Sequence, residues 1–331
     1  MTRALITGIA GQDGLYLGEL LAAKGYEIFG TIRGLNNPRR GIVEAIVPGV
    51  TLIDADLTDV SSLHKALARS EPNEVYNLAA LSSVGNSWEA ASATTDVTAK
   101  GALNLLEATR VHAGNDLSRV RFYQASSSEM FGKAQEVPQT EHTVLWPRSP
   151  YGVCKVFAHY MTVTYRESYG LHASSGILFN HESPRRGEDF VTRKISRSVA
   201  RIALGLQDNV TLGNLDARRD WGFAGDYVRA MWLMLQQETA GDYIIATGQT
   251  HSIRDFLAAA FAVVGIDDWE PLVAVNPAFF RPAEVMDIVG DASKAREVLG
   301  WQPEVGFDEV VSMMVESDVA IERALQSGTS L

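Results

Sequence analysis

The chain has 331 residues and 46% hydrophobic content, enough to bury the core of one large α/β unit or of two unequal domains. Its net charge of −11 disfavours a nucleic-acid partner, because phosphate binding depends on a dense basic surface. The single cysteine, Cys154, excludes an internal disulfide and a cysteine-based zinc site, and no apolar run is long enough for a membrane span, which together predict a metal-free cytoplasmic protein.

Strand and helix patterns alternate through the first half of the chain. A helical pattern from about Gly14 to Lys24 follows the first strand pattern, RALIT. Further strand patterns follow in EIFGTI, TLIDA, EVYNLAA, VRFYQAS and ASSGILF. This alternation predicts an α/β fold with a doubly wound parallel sheet, covered by helices on both faces.

The alternation breaks after residue 180. Segments rich in Pro, Arg and Asn then separate helical patterns such as TRKISRSVARIALG and DYVRAMWLMLQQ. We interpret this part as a second, smaller mixed α/β domain interleaved with late sheet elements. The expected boundaries are 1–178 with about 214–248 for the sheet domain, and about 179–213 with 249–331 for the smaller one.

The segment TGIAGQDG places three glycines between the first strand and the first helix. Gly8 permits the tight turn, Gly11 lets backbone amides approach a pyrophosphate, and Gly14 allows close packing of helix on strand. This pattern predicts a dinucleotide site at the helix N-terminus. Ile9, Gln12 and Asp13 fill the same turn and are included in it.

The GxxGxxG spacing resembles the extended branch of the short-chain dehydrogenase/reductase superfamily, which has a Rossmann fold. No Asp or Glu ends the second strand, where NAD enzymes hold the ribose hydroxyls, and Arg33 there favours NADP over NAD as the cofactor. The resemblance also implies that Asp56 and Leu57 contact adenine. It implies further that the loop LAALS passes beneath the cofactor, with Leu78, Ala79, Ala80 and Ser82 as contacts.

The stretch FYQASSSEMFG ends an apolar strand pattern with three serines and a glutamate. Side chains alternate along a strand, so Ser127 and Glu129 would share one face if the strand end stays extended. SPYGVCK follows, where Tyr151 and Lys155 lie on one helical face. We expect the ammonium, with a positively charged nicotinamide, to lower the pKa of the phenol and make Tyr151 a base.

Together with the glycine turn, these residues match the superfamily's Ser/Thr-Tyr-Lys triad. Dehydrogenation needs only Ser127, Tyr151, Lys155 and the cofactor, so Glu129 is surplus to it. A carboxylate in a partly dry cleft is suited to taking a proton from one carbon and passing it to a neighbouring hydroxyl. We interpret Glu129 as a second acid/base.

Motifs along nearly the whole chain resemble the GDP-mannose 4,6-dehydratase family. They are TGIAGQDG, FYQASSSEMFG, PRSPYGVCK, GILFNHESPRRG, FVTRKISRSVARI, LGNLDARRDWGFAGDYVRAMWLMLQ, FFRPAEV and LGWQP. The resemblance implies transient oxidation at C4 of GDP-mannose, loss of water across C5 and C6, and hydride return to C6. The implied product is GDP-4-dehydro-6-deoxy-D-mannose, a precursor in deoxyhexose biosynthesis of the fucose or rhamnose type.

The resemblance also implies roles for individual residues. Tyr151 would take the C4 hydroxyl proton, Ser127 would bond the C4 oxygen, and Glu129 would move the proton from C5 to the departing C6 hydroxyl. Cofactor contacts are implied for His181 and Arg186. Substrate contacts are implied for Ser83, Asn180, Glu182, Lys194, Arg219, Arg281 and Glu284.

Three positions depart from the family pattern. Ser127 stands where a threonine is usual, which keeps the hydroxyl but loses the methyl that fixes its rotamer. Arg33-Gly34 replaces a double arginine, which bears on the preference for NADP and on a subunit contact. Ala93 replaces a tyrosine near the cofactor. None of these changes removes a catalytic group.

Other functions fit the same residues. A dehydratase for another GDP-sugar, such as a GDP-heptose, and a GDP-sugar 4-epimerase or 4-reductase all use the triad. A silent NADP-binding regulatory protein is a further alternative, although it has no chemical reason to retain the proton-transfer residues. The resemblance implies a homodimer or homotetramer, and apolar helices around 92–109 and 153–169 could pack against partner subunits.

Overall fold

The computed structural model describes residues 1–280 and 288–328, and its centre is a seven-stranded parallel sheet. In chain order, the strands of the described residues are β1 (Arg3–Thr7), β2 (Glu27–Ile32), β3 (Thr51–Asp54), β4 (Glu74–Asn77), β5 (Arg121–Ser127), β6 (His172–Leu178), β7 (Asn180–Glu182), β8 (Val210–Leu212), β9 (Arg218–Arg219), β10 (Trp221–Phe223), β11 (Asp242–Ile245), β12 (His251–Ser252) and β13 (Val273–Val275). Six of these strands lie outside the main sheet and form three two-stranded sheets, β7 with β10, β9 with β12 and β8 with β13.

Helices connect and cover these strands. They are α1 (Gln12–Ala23), α2 (Arg40–Ile46), α3 (Val60–Ser70), α4 (Ala91–Thr94), α5 (Gly101–Ala113), α6 (Pro150–Tyr169), α7 (Val191–Ala203), α8 (Ala224–Gln236), α9 (Ile253–Val263), α10 (Ser293–Leu299) and α11 (Phe307–Ser327). A π-helical segment, Thr95–Lys100, joins α4 to α5. Short 3₁₀ helices cover Leu117–Arg119, Ser128–Met130, Glu270–Leu272 and Pro277–Phe279.

The strand order across the main sheet is β3-β2-β1-β4-β5-β6-β11, and every neighbouring pair is parallel. The predicted doubly wound sheet is therefore confirmed. Its strand order reverses between β1 and β4, and such a switch point opens a crevice at the carboxyl ends of the strands. The strand predicted over EVYNLAA is shorter than expected, because β4 ends at Asn77 and the chain then turns over the sheet edge.

Alternating side chains of the sheet divide the core into two layers. Ala4 and Ile6 of β1 enter one apolar cluster and Leu5 enters the other, as the two-residue period of a strand requires. Helices α1, α8 and α10 contribute to the first cluster, whereas α3, α5 and α6 contribute to the second. The sheet is therefore buried on both faces, and ligands reach it only at its edges.

A third apolar cluster gathers α7, α9 and α11 with β8 and Trp221. Buried ion pairs join two of these helices: Arg193 of α7 lies 2.7 Å from Asp318 of α11, and Glu322 pairs with Arg197 and Arg201. Helix α10, by contrast, packs with the sheet cluster. The domain boundaries given above remain a prediction.

The described ranges contain neither a membrane-spanning helix nor a cluster of metal ligands. None of the helices there is long and apolar enough to cross a bilayer. No three His, Cys, Asp or Glu side chains in residues 1–280 and 288–328 gather as metal ligands would. Cys154 is a buried free thiol on α6, 3.6 Å from the hydroxyl oxygen of Thr95.

Candidate active site

A cavity of about 780 Å³ opens at the carboxyl edge of the sheet, at the switch point between β1 and β4. The turn after β1, the loop after β4 and the end of β5 form its walls together with α6 and β7. The structure brings these predicted site residues to it: Gly8, Gly11, Gln12, Asp13, Gly14, Arg33, Asp56, Leu57, Leu78, Ala79, Ala80, Ser82, Ser83, Ser127, Glu129, Tyr151, Lys155, Asn180, His181, Glu182, Arg186 and Arg219.

Of the predicted site residues that the structure describes, two are not among those that line the cavity. Ile9 is completely buried in the core between α1 and the sheet, so only its backbone is available to a ligand. Lys194 of α7 has an ammonium that donates to the Thr211 carbonyl at 2.7 Å and lies over the ring of Phe279, which does line the cavity. Arg281 and Glu284 lie outside the described residues.

The glycine turn is shaped for close backbone approach. Gly8 has φ +72°, and a Cβ there would lie 2.8 Å from the backbone nitrogen of Ala79. A Cβ at Gly14 would lie 2.4 Å from the Gly8 carbonyl oxygen, so α1 can pack on β1 only without that side chain. Gly11 precedes α1 and no side chain caps its first amides, which leaves them to the cavity. These features fit a dinucleotide pyrophosphate.

Basic and amide side chains surround the cavity beyond the end of β2. Arg33 follows the strand directly, and Arg39 lines the same end of the cavity. Asn37 shapes the loop between them, since its side chain donates to the Arg33 carbonyl and accepts from the Arg39 amide. Within the described residues, neither guanidinium has a hydrogen-bond or ion-pair partner. Arg39 and Asn37 were not predicted, although PRR at 38–40 is visible in the sequence.

The side chain of Asp56 forms hydrogen bonds within its own turn. Its carboxylate accepts from the backbone amide and the hydroxyl of Thr58, at 2.8 and 2.7 Å. Burial acts against ionisation, but these bonds and the charge of Arg33 lower the pKa of the Asp56 carboxyl. Asp56 therefore presents a charged, fixed carboxylate to the cavity, beside Leu57.

The end of β5 differs from the predicted extended strand. The strand ends at Ser127, and the chain turns at once into the 3₁₀ helix that contains Glu129. The hydroxyl of Ser127 caps this helix by accepting from the Glu129 amide at 3.2 Å. Ser127 and Glu129 still line one cavity, as predicted. The 3₁₀ turn after β5 brings them together, and not the alternation of side chains along an extended strand. The cap also holds the Ser127 rotamer without the threonine methyl.

Two residues at the N-terminus of helix α6 favour the start of the helix there. Ser149 caps it by accepting from the Gly152 amide at 3.0 Å, and Pro150 occupies the first turn, where its missing N–H costs nothing. Tyr151 and Lys155 are both buried on the face toward the cavity. The Lys155 ammonium lies 5.6 Å from the centre of the Tyr151 ring and donates to the Ala125 carbonyl at 2.7 Å.

The expected lowering of the Tyr151 pKa is wrong for the protein alone. Burial raises the pKa of Tyr151 well above its ordinary value, and the charge of Glu129 adds to this rise. A hydrogen bond from Ser127 and the charge of Arg186 act in the opposite direction. Burial also lowers the pKa of Lys155 to about 8, because the dry site disfavours its ammonium.

A buried histidine on the same face of α6 was not predicted. His159 lies four residues beyond Lys155, and its Nδ1 is 3.0 Å from the hydroxyl oxygen of Ser126. Lys155 and His159 thus hold α6 to successive residues of β5, next to Ser127. Their shared helical spacing from Tyr151 is the signal that could have identified His159.

The far wall of the cavity carries paired charges. Glu182 is 1% exposed, accepts from the Thr192 hydroxyl at 2.7 Å and forms an ion pair with Arg186 at 3.0 Å. Arg186 also covers the Phe190 ring at 3.5 Å. Arg219 is buried on β9, with its guanidinium donating to the Arg218 carbonyl. This wall can hold a polar, anionic ligand opposite Ser127 and Tyr151.

The chain is similar to known proteins of one family over most of its length. The profile of the family described as GDP-mannose 4,6 dehydratase matches residues 5–314. The chain is 53% identical to GDP-mannose 4,6 dehydratase 2 of Arabidopsis thaliana, over 97% of this chain and 87% of that protein. It is 47% identical to the Homo sapiens GDP-mannose 4,6 dehydratase, over 97% of this chain and 92% of that one.

A solved structure shows the same fold. The UDP-glucose 4-epimerase of Thermus thermophilus, in complex with NAD, is 30% identical and has a TM-score of 0.82, covering 96% of this chain and 99% of that one. The family profile extends over nearly the whole chain, and the relatives are aligned over almost their full lengths. This chain belongs to the GDP-mannose 4,6-dehydratase family.

Proposed function

We propose that the protein converts GDP-α-D-mannose to GDP-4-dehydro-6-deoxy-D-mannose and water. The observation that carries the proposal is the convergence of Glu129 with Ser127, Tyr151 and Lys155 on one cavity, in a chain of this family. A carboxylate beside the triad is what separates elimination of water from simple oxidation and reduction. The Arabidopsis thaliana and Homo sapiens relatives are GDP-mannose 4,6 dehydratases.

The first step removes hydrogen from C4 of the sugar. Tyr151 takes the hydroxyl proton, and Ser127, which already lies close enough to favour the phenolate, bonds the C4 oxygen. Lys155 supplies positive charge near the phenol from a fixed position. A nicotinamide cofactor held by the glycine turn and Lys155 would supply the chemistry of accepting hydride from C4 and returning it to C6, while C5 takes a proton from solvent in place of the one it lost.

The second step is elimination of water across C5 and C6. A ketone at C4 acidifies the neighbouring C5 hydrogen, and Glu129 takes that proton and delivers it to the departing C6 hydroxyl. The 3₁₀ turn suits this role, since it places the carboxylate just beyond Ser127 and half-buried against Tyr151. On the same proposal, Ser83, Asn180, Glu182 and Arg219 hold the sugar nucleotide.

The test of this proposal is product identity. Purified protein incubated with GDP-mannose and a catalytic amount of NADP should form the 4-dehydro-6-deoxy sugar, detected by mass spectrometry as loss of one water. Formation of a 4-epimer or of a reduced sugar without loss of water would support an epimerase or reductase instead. Turnover of a GDP-heptose but not of GDP-mannose would identify a dehydratase with another substrate. Binding of cofactor without any turnover would indicate a regulatory protein.

For the cofactor, we propose NADP, held at its 2′-phosphate by Arg33 and Arg39. Both guanidiniums line the cavity beyond β2, where an acid would otherwise bond ribose hydroxyls. The family pattern has a second arginine where this chain has Gly34, and Arg39 would supply that second positive charge. The Thermus thermophilus epimerase structure contains NAD, so the preference rests on these side chains.

Replacing Arg33 with Ala should raise the dissociation constant for NADPH about 10-fold to 100-fold and change that for NADH little, because charge-assisted bonds to phosphate are lost. Arg39→Ala should act in the same direction. Tryptophan fluorescence titration measures both constants. Arg40→Ala is the matched control, since Arg40 is exposed and paired with Glu44 at 2.8 Å. Equal losses for NADPH and NADH would refute the phosphate contact.

We also propose that the protein is a homo-oligomer that uses the outer face of α6. Val153, Phe157 and Tyr160 lie on that face at helical spacing and are 56%, 39% and 55% exposed. A contiguous apolar stripe of this kind is typical of subunit interfaces.

A charge in this stripe should dissociate the oligomer. Phe157→Asp is expected to shift the mass measured by light scattering toward that of a single chain, because the interface would have to bury an unpaired carboxylate. Val298→Asp, at an exposed apolar residue of α10, serves as the control. An unchanged mass for the Phe157 variant would place any interface elsewhere.

A further inference from the structure

Asp13 and His181 form a largely buried pair in the wall of the cavity. Asp13 lies in the first turn of α1 and His181 in β7, 168 residues apart, with 2.9 Å between Oδ2 and Nε2. Their side chains are only 22% and 11% exposed. The other ring nitrogen, Nδ1, is 2.8 Å from the Phe179 carbonyl oxygen.

These contacts define the proton content of the ring. A backbone carbonyl can only accept, so Nδ1 carries the proton of its bond to Phe179. An ionised Asp13 can only accept, so when Asp13 is ionised Nε2 carries a proton too and the ring is an imidazolium. Burial acts against ionisation of Asp13, but the charge and hydrogen bond of His181 lower the pKa of Asp13 to about 2. Burial likewise acts against the imidazolium, yet Asp13 leaves the pKa of His181 raised.

Other groups around the ring do not change this assignment. The Tyr227 ring of α8 stacks on His181 at a centroid distance of 4.5 Å. Arg186 repels the imidazolium but favours the ionised Asp13. Because both ring N–H groups are occupied, His181 has none left to donate to a cofactor. The contact between His181 and the cofactor that the family resemblance implies stays a prediction, and it does not require a hydrogen bond from the ring.

The position of Asp13 indicates how His181 can affect cofactor binding without a direct hydrogen bond to the cofactor. The proposed function places the dinucleotide pyrophosphate at the N-terminus of α1, and an unpaired carboxylate in the first turn of that helix would repel it. Gln12 strengthens the same junction, since it donates to the His181 carbonyl at 3.1 Å and accepts from the Ser183 hydroxyl at 2.8 Å. These hydrogen bonds join the glycine turn to β7, and the positive charge of His181 balances the negative charge of Asp13 at this junction.

We propose that His181 is a positioning residue that acts through Asp13: a permanent imidazolium that cancels the Asp13 charge and leaves the α1 N-terminus open to an anionic cofactor. This inference rests on the proposed function for the identity of that anion. It assigns His181 no direct hydrogen bond to the cofactor. It also predicts that the two residues are coupled in cofactor binding.

A double-mutant cycle tests the coupling. NADPH dissociation constants are measured by calorimetry for the wild type, Asp13→Asn, His181→Gln and the double variant. His181→Gln should weaken NADPH binding by about 10-fold or more, since Asp13 stays charged without its partner. The double variant should bind NADPH more tightly than His181→Gln, because the repelling carboxylate has gone. Losses that simply add would show a structural role and overturn the proposal.

A second measurement does not depend on variant folding. In histidine-labelled wild-type protein without ligand, nitrogen NMR should show both ring nitrogens of His181 protonated at neutral pH and above. In Asp13→Asn the ring should lose its charge at a lower pH. A neutral ring in the wild type at neutral pH, accepting from a protonated Asp13, would overturn the proposal. Failure of the wild type to form product would refute the proposed function but leave this result standing.

Discussion

Replacing Glu129 with Gln is expected to lower formation of the 4-dehydro-6-deoxy product by about 10²-fold to 10⁴-fold, the range in which one positioned acid/base contributes. The amide keeps the size of the side chain but cannot take the C5 proton. Oxidation at C4 should persist, because Ser127, Tyr151 and Lys155 are unchanged. The absorbance of the reduced nicotinamide in a single turnover measures this first step, and chromatography of the sugar nucleotides measures the product.

The control for this variant is Glu167→Gln, which neutralises an exposed carboxylate near the end of α6. It should leave both steps as they are in the wild type. If Glu129→Gln still eliminates water at the wild-type rate, Glu129 is not the second acid/base. If it loses C4 oxidation to the same extent, Glu129 acts on the triad and not on C5.

Tyr151→Phe is expected to lose both steps. Without the phenol oxygen, nothing at this position takes the C4 proton, and C4 oxidation should fall by about 10²-fold to 10⁴-fold. Elimination depends on the ketone and falls with it. The change removes one oxygen from a buried ring, so the fold should be kept, as circular dichroism can verify. The same single-turnover absorbance measurement then separates this variant from Glu129→Gln.

The pH dependence of the first step gives a further check on Tyr151. Burial holds the pKa of Tyr151 high in the protein alone, so its proton-accepting form becomes more abundant as pH rises. The rate of C4 oxidation should therefore increase with pH in the wild type up to about pH 8, where Lys155 begins to lose its positive charge, and the residual rate of Tyr151→Phe should not follow this increase. A Tyr151→Phe variant that oxidises C4 at the wild-type rate would assign the base to another residue.

Much of the fold was predictable because its signals are local. The short strand patterns RALIT, EIFGTI and TLIDA correspond to β1, β2 and β3 within one residue. The glycine turn predicted the start of α1 to within two residues, since Gly8 and Gly14 are fixed by contacts inside one strand–turn–helix unit. Tyr151 and Lys155 share a helical face for the same local reason.

The geometry around Glu129 was only partly predictable. Its presence in the cavity followed from its place beyond a strand end, but the extended strand that was assumed does not form. Ser127 stops the strand by capping the next turn with its own hydroxyl. Serine fits both a strand end and a cap, so the sequence pattern does not distinguish the two conformations.

Contacts between distant parts of the chain were not predictable from one sequence. Asp13 meets His181 only because β7 passes beside the glycine turn, and Ser126 meets His159 only because α6 packs on β5. The high pKa of Tyr151 has the same origin, since it reflects burial by several elements at once. Such effects follow from the packing and not from any local pattern.

The most direct test of the account follows a single hydrogen. GDP-mannose carrying deuterium at C4 is incubated with a catalytic amount of NADP in ordinary water, and the product is examined by NMR. We predict that deuterium appears at C6, that the hydrogen at C5 comes from solvent, and that no reduced cofactor accumulates. Deuterium that leaves the sugar for the cofactor pool, or a product that retains its C6 hydroxyl, would contradict an internal redox cycle with Glu129 as its eliminating acid/base.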